Sequence, residues 1–312
     1  GLTIVWMLYF CIKLNLSGNL DITNAVVLMI ASFTIFDGLI GAGSNMAILR
    51  IAENAIDSYE YVNHMPDIDE GNIKRMIQNH DIDINNIRFS YDNRRVLDNV
   101  TCVIKENEMT AIVGASGSGK TTLCNLIARF WDVNAGEILM GGKNIKEYTL
   151  PNLMSHIAMV FQNVYLFEDT IENNIKFGVP SATREEVIEA AKKAMCHDFI
   201  EALPNGYDTL IGEGGATLSG GQKQRISIAR AMLKDAPIVI FDEATANIDP
   251  ENEDKLKAAI EELTKNKTII MIAHRLSTIK SADCIMVIEG GRIIERGNHE
   301  ELLQKQGRYH QL

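Results

Sequence analysis

Between Leu14 and Leu49 the chain has no lysine and no arginine. A solvated surface helix carries basic residues, so a gap of this length excludes an ordinary exposed segment there. Basic residues are the minority overall as well: 30 Lys and Arg stand against 41 Asp and Glu, for a net charge of -11. Proteins whose main partner is DNA or RNA need a basic face to neutralise phosphates, so this balance argues against nucleic acid. Cysteine is sparse and scattered. Cys11, Cys102, Cys124, Cys196 and Cys284 form no CxxC pair and stand near no histidine at metal-ligand spacing. They read as reduced, structural thiols in a cytosolic environment. No internal repeat and no low-complexity tract is present. The apolar run Leu2 to Ile12 has no basic segment before it and no small-residue cleavage site after it, which is the pattern of a fragment rather than a leader peptide.

What is present divides the chain in two. At 312 residues and 46% hydrophobic it can bury one large core or two modest ones. Ile22 to Ile40 is apolar apart from Thr23, Asn24, Ser32, Thr34, Asp37 and Gly38. That length suits a bilayer-spanning helix, with a second apolar segment before it, a turn at Asn15 to Asn19, and Arg50 where a cytosolic exit would stand. Asp37 is costly at membrane depth unless it faces a cavity, and it is the residue that favours a buried soluble helix instead. Helical spacing continues from Ala47 to about Tyr61, and Met65 to Gly71 then breaks it with proline, glycine and acid. The expected division is a membrane part at 1–60, a linker at 61–80 and a second domain at 81–312.

After the linker, β-type runs cover Ile82 to Phe89, Val96 to Ile104 and Met109 to Val113. The last feeds directly into Gly114-Ala115-Ser116-Gly117-Ser118-Gly119-Lys120-Thr121, followed by Thr122 and a helix to about Phe130. Strand, glycine-rich loop, helix is the context of a phosphate-binding loop. Gly114, Gly117 and Gly119 let backbone N–H groups curl around phosphates, Lys120 adds a full charge, and the Thr121 hydroxyl is a magnesium ligand candidate. Further strands are expected at Ile157 to Phe161, Ile238 to Phe241 and Thr268 to Ala273, and helices at Arg184 to Met195, Ser219 to Leu233 and Glu251 to Leu263. Alternating strands and helices predict an α/β fold with a mostly parallel sheet covered on both faces, interrupted by a helix-rich insertion from about Glu172 to Leu233. Ile238-Val239-Ile240-Phe241-Asp242-Glu243 is an apolar strand ending in two acids, which points Asp242 at a metal and Glu243 at an attacking water. On its own an acidic pair at a strand end is an ordinary solvated turn.

Leu218-Ser219-Gly220-Gly221-Gln222, followed by Lys223-Gln224-Arg225, decides between those readings. Ser219 is a natural N-cap, and the N–H groups of Gly220 and Gly221 add an anion site. Together with the phosphate loop this stretch resembles the ATP-binding cassette superfamily, and with its apolar N-terminal part the whole chain is similar to the exporter-type members. The resemblance implies an ATP hydrolase fold with a helical subdomain, ATP and Mg2+ as cofactors, and a second half-transporter as partner, identical or not. It also implies an integral membrane protein with its cassette in the cytoplasm, coupling hydrolysis to transport. In such proteins Ser219, Gly220, Gly221 and Gln222 of one subunit close over ATP held by Ser116, Lys120 and Thr121 of the other. The same resemblance gives Gln162 contact with magnesium, His274 contact with the γ-phosphate, Tyr91 stacking on adenine, and Glu243 the catalytic role. Asp249, in Ala246-Asn247-Ile248-Asp249, keeps the last position of the family's cross-dimer loop and departs at the first three. Gly214 stands where exporter-type members carry arginine in Gly-Glu-Arg-Gly. Two rivals remain on the residues: a soluble cassette ATPase of DNA repair or translation, which lacks the apolar extension, and a P-loop kinase or GTPase, which lacks LSGGQ. The exporter layout also occurs in importers of iron carriers.

Overall fold

A computed structural model describes residues 2–64, 71–74, 77–92, 94–215, 218–242, 250–273 and 279–311. The chain divides into two units, Gly1–Asp67 and Ile68–Leu312. The first is a pair of helices, α1 (Leu2–Leu16) and α2 (Ile22–Asn63). Gly18, at φ 72, turns the chain between them, and the Asn15 side-chain amide donates to Leu20 O at 2.8 Å across the turn. Most of the described large apolar side chains of both helices, among them Trp6, Phe33 and Ile35, are exposed. Among the described residues α2 is the one helix long and apolar enough to cross a membrane, and only 6% of its apolar window is buried within the chain.

The second unit is built on two sheets. β1 (Ile82–Tyr91), β2 (Arg94–Ile104), β4 (Ala135–Met140) and β5 (Lys143–Asn144) form an antiparallel sheet in the order β2-β1-β4-β5. A six-stranded sheet runs β10-β9-β3-β8-β7-β6, from β3 (Met109–Val113), β6 (Ile157–Val160), β7 (Ile238–Asp242), β8 (Thr268–Ile272), β9 (Cys284–Glu289) and β10 (Arg292–Gly297). It is parallel except at its edge, where β10 pairs antiparallel with β9. The single parallel sheet expected from the sequence is therefore accompanied by a separate antiparallel one. β4 escaped the reading because its first three residues are exposed and its apolar stretch, Ile138 to Met140, is only three residues long.

Both faces of the large sheet are covered, which explains unbroken apolar strands such as Ile238 to Phe241. Ala111, Val239, Phe241, Ile269 and Met271 pack into one core with the helices of the insertion. Their neighbours Ile112, Ile238, Ile240, Ile270 and Ile272 pack into the other, shared with the antiparallel sheet and with α3 (Lys120–Ile127). Further α-helices among the described residues are α4 (Leu150–Ser155), α5 (Ile171–Lys176), α6 (Arg184–Lys193), α7 (His197–Glu201), α8 (Gly220–Lys234), α9 (Pro250–Thr264), α10 (His299–Gln304) and α11 (Arg308–Gln311). α3 stops short of Phe130 because Arg129 takes a left-handed φ of 54. The buried Arg129 guanidinium donates to Ile145 O and Tyr148 O and pairs with Asp132 at 3.2 Å, so long-range contacts end the helix. α6 ends likewise before Met195, also at φ 54.

One buried polar chain joins the segment before β1 to the α4–β6 junction. His80 Nδ1 lies 2.9 Å from Glu106 Oε1, and His80 Nε2 lies 3.1 Å from His156 Nδ1. Burial, and secondarily the charge of His80, holds His156 below the ordinary imidazole value. Between that lowered value and about 6.5 the unfolded chain binds a proton that the fold refuses, so this contribution to stability is full above the window and is lost as pH falls through it. Melting curves of parent and His156→Gln between about pH 7.5 and 5.5 check this. The parent should lose more stability on acidification than the variant, and parallel curves would remove His156 from the account.

Candidate nucleotide site

β3 carries the chain from the middle of the large sheet straight into the glycine-rich loop. Gly114 ends the strand at φ 150, where a Cβ would lie 2.1 Å from Ile288 O, so no larger residue fits. Gly117, at φ 76, turns the loop tip in open space, and Gly119, at φ 108, caps α3. Lys120, 6% exposed, folds back over the loop and donates to Gly114 O and Ala115 O, each at 2.9 Å. Ser116 is exposed, and the buried Ser118 Oγ has no hydrogen-bond partner among the described residues. A buried hydroxyl left unpaired in a curl of backbone donors is the kind of group an anion's oxygens satisfy.

The first residue of α3 after Lys120 reaches the end of β7. Thr121 Oγ1 donates to Asp242 Oδ1 at 3.3 Å, joining positions 121 residues apart in sequence. This is the arrangement a strand ending in acid was expected to make, and parallel strands β3 and β7, separated by β8, place both groups at the same edge of the sheet. Two hard oxygen donors side by side fit a small divalent cation such as Mg2+. Thr122 is buried on the inner face of α3. Gln162 follows β6 in an exposed bend, and its neighbour Phe161 accepts from Gln224 Nε2 of α8 at 3.4 Å. Glu243, Asp249 and His274 lie outside the described residues.

Ser219 caps α8 with a reciprocal pair. Its Oγ accepts from Gln222 N at 3.3 Å, and Gln222 Oε1 accepts from Ser219 N at 2.9 Å. Ser219 and Gly220 are exposed, whereas Gly221 is buried. Gly214, at φ 62, occupies a left-handed turn that arginine would strain, and Lys223 Nζ donates to its carbonyl at 2.9 Å. A cation is thus held at this loop by Lys223 of α8 instead.

Tyr91 ends β1 half-buried, perpendicular to Phe89 at 4.8 Å and to Trp131 at 5.4 Å between ring centroids. Trp131 was missed in the sequence. It follows the helix that starts at the phosphate loop, and only the fold brings it to Tyr91. The β9–β10 turn was missed as well: with the start of β2 and the loop residues Ser116 and Gly117 it lines an open cavity of about 490 Å³.

Residues 97–246 match the ABC transporter family. That stretch is an ABC transporter domain. The chain is 48% identical over 279 residues to the ATP-dependent lipid A-core flippase of Syntrophus aciditrophicus (strain SB), covering 89% of this chain and 45% of that protein. The flippase of the same name from Escherichia coli (strain K12) is 50% identical over 249 residues, covering 78% of this chain and 42% of that one. Among solved structures, a bacterial Atm1-family ABC exporter with ATP bound superposes with a TM-score of 0.75 at 36% identity, covering 94% of this chain and 52% of the exporter. The chain spans about half the length of the curated relatives it matches. It therefore carries an ABC transporter ATPase domain, an ATP-binding module, in an α/β fold.

Proposed function

We propose that this chain is the energy-supplying end of an exporter-type half-transporter, working as a dimer in a membrane with its cassette on the cytoplasmic side. The contact between Thr121 and Asp242 carries the reading, because it brings the phosphate loop and the acidic strand end to one point. Gly114, Ser116, Gly117, Gly119, Lys120, Thr121 and Thr122 hold the triphosphate, and Tyr91 stacks on adenine. Thr121, Asp242 and Gln162 would hold Mg2+, which would supply charge neutralisation on the phosphate oxygens. Glu243 orients and deprotonates the attacking water, and His274 contacts the γ-phosphate. The names of the relatives, flippase and exporter, favour outward movement of cargo, and the exposed apolar face of α2 favours the membrane over a soluble repair or translation ATPase.

In this reading Ser219, Gly220, Gly221, Gln222 and Asp249 serve the ATP of the partner subunit. Mixing two defective chains tests that directly. Chains with Lys120→Ala and chains with Ser219→Arg should each be inactive alone. A mixed dimer keeps one composite site with intact Lys120 and intact Ser219 only when the two act across the interface. Hydrolysis in the mixture should recover to about a quarter of the parent rate, since half the dimers are mixed and each has one site. Cysteines at Ser116 and Ser219 should crosslink two chains when ATP is added. A crosslink confined to single chains would end the trans-acting assignment.

A further inference from the structure

Three segments distant in sequence meet behind the phosphate loop, and backbone contact locks them. A Cβ on Gly119 would lie 2.6 Å from Leu97 Cδ2, and a Cβ on Gly291 would lie 2.3 Å from Val96 O. Asp98 N donates to Gly291 O at 2.9 Å. The start of β2 is thus wedged between the loop that holds phosphate and the β9–β10 turn. The side chain of Asp98 completes the junction. Arg292 donates to Oδ2 from Nε at 3.1 Å and again from Nη2, while Oδ1 faces Arg95 at 3.4 Å and Arg88 at 3.7 Å. One carboxylate therefore ties together β1, β2 and the start of β10. It is 17% exposed, against 56% or more for each arginine, and hydrogen bonding from Arg292 holds it below the usual carboxylate range.

The hairpin that Asp98 ties down carries Tyr91 on one strand and Arg94, Arg95 and Val96 on the other. The last three face Ser116 and Gly117 across the cavity of about 490 Å³. We propose that Asp98, through Arg292, is a positioning residue for the nucleoside end of the bound nucleotide: it sets the height of the β1–β2 hairpin over the phosphate loop. This rests on the ATP reading given above. The phosphate loop touches the start of β2 at Gly119 but has anchors that do not involve Asp98: Gly114 against Ile288, and Lys120 on the loop's own carbonyls. Loss of the tie should therefore spare phosphate binding and weaken nucleoside binding.

Charge and position predict opposite signs, which makes the test decisive. Removing a negative charge beside a polyanion strengthens its binding if electrostatics alone matters. Releasing the hairpin weakens it. Calorimetry on the full chain in detergent, with ATP and with inorganic tripolyphosphate as separate probes, reads both. Asp98→Asn should bind ATP about 3- to 5-fold more weakly, the scale of a surface ion pair, and bind tripolyphosphate as tightly as the parent or more so. Asp98→Glu, which still reaches the guanidinium groups, should return ATP affinity to within about 2-fold of the parent. Tighter or unchanged ATP binding by Asp98→Asn, or equal loss for both probes, overturns the positioning role. Lys120→Ala in the same series separates the two levels. If it binds ATP normally the nucleotide reading itself fails, whereas its loss of ATP beside a neutral Asp98→Asn defeats only this inference.

Discussion

Lys120→Ala is expected to weaken ATP binding by roughly 30- to 150-fold, the cost of about 2–3 kcal/mol for a charge-assisted contact to phosphate. Two losses combine. The ammonium is the one full positive charge that the loop sequence provides, and it also draws Gly114 O and Ala115 O together at 2.9 Å each. Backbone donors alone must then both hold their curl and bind the anion. Calorimetry with ATP, alongside a melting curve to confirm the fold, gives the answer. A variant that binds as tightly as its parent would remove the phosphate-loop assignment.

The largest effect on turnover should come from Glu243→Gln, with hydrolysis falling about 10²- to 10⁴-fold while ATP binding is kept. The amide retains the shape of the side chain and cannot take a proton. β7 delivers Asp242 to the carboxyl edge of the sheet, where it meets Thr121, and the proposal gives the attacking water to Glu243, the next residue in sequence. ATP should then hold two chains together, visible as a nucleotide-dependent dimer by light scattering. Unchanged turnover would move the catalytic role elsewhere, with His274 the next candidate.

The central strands were legible because each is buried on both faces and therefore apolar nearly throughout, with one buried threonine each in Met109 to Val113 and Thr268 to Ile272. The cap on α8 was legible because Ser219 and Gln222 satisfy each other within one turn, a purely local device. Edge structure was not. β4, β5 and β10 are short and half exposed, with apolar stretches of no more than three residues, too little for a sequence pattern, and pairing with neighbours makes them strands. Helix ends failed for a related reason: Arg129 leaves the helix to satisfy carbonyls 16 and 19 residues away, contacts that no local pattern contains. The site divides the same way. Its contiguous loop could be read outright, whereas Trp131, Asp98 and Arg292 gain meaning only from the fold.

The length of α2 has a mechanical consequence. Its 42 residues extend about 63 Å, roughly twice the hydrocarbon thickness of a bilayer. With residues 22–40 in the membrane, residues 41–63 continue for about 35 Å as one unbroken rod. Proline is absent from it, and its one Gly-Ser pair, Gly43-Ser44, stands at the near end, so beyond that pair the sequence supplies no kink-forming residues. A rod of that reach multiplies angle into distance: a tilt of about 10° at the membrane end sweeps the far end through about 6 Å, a full helical turn.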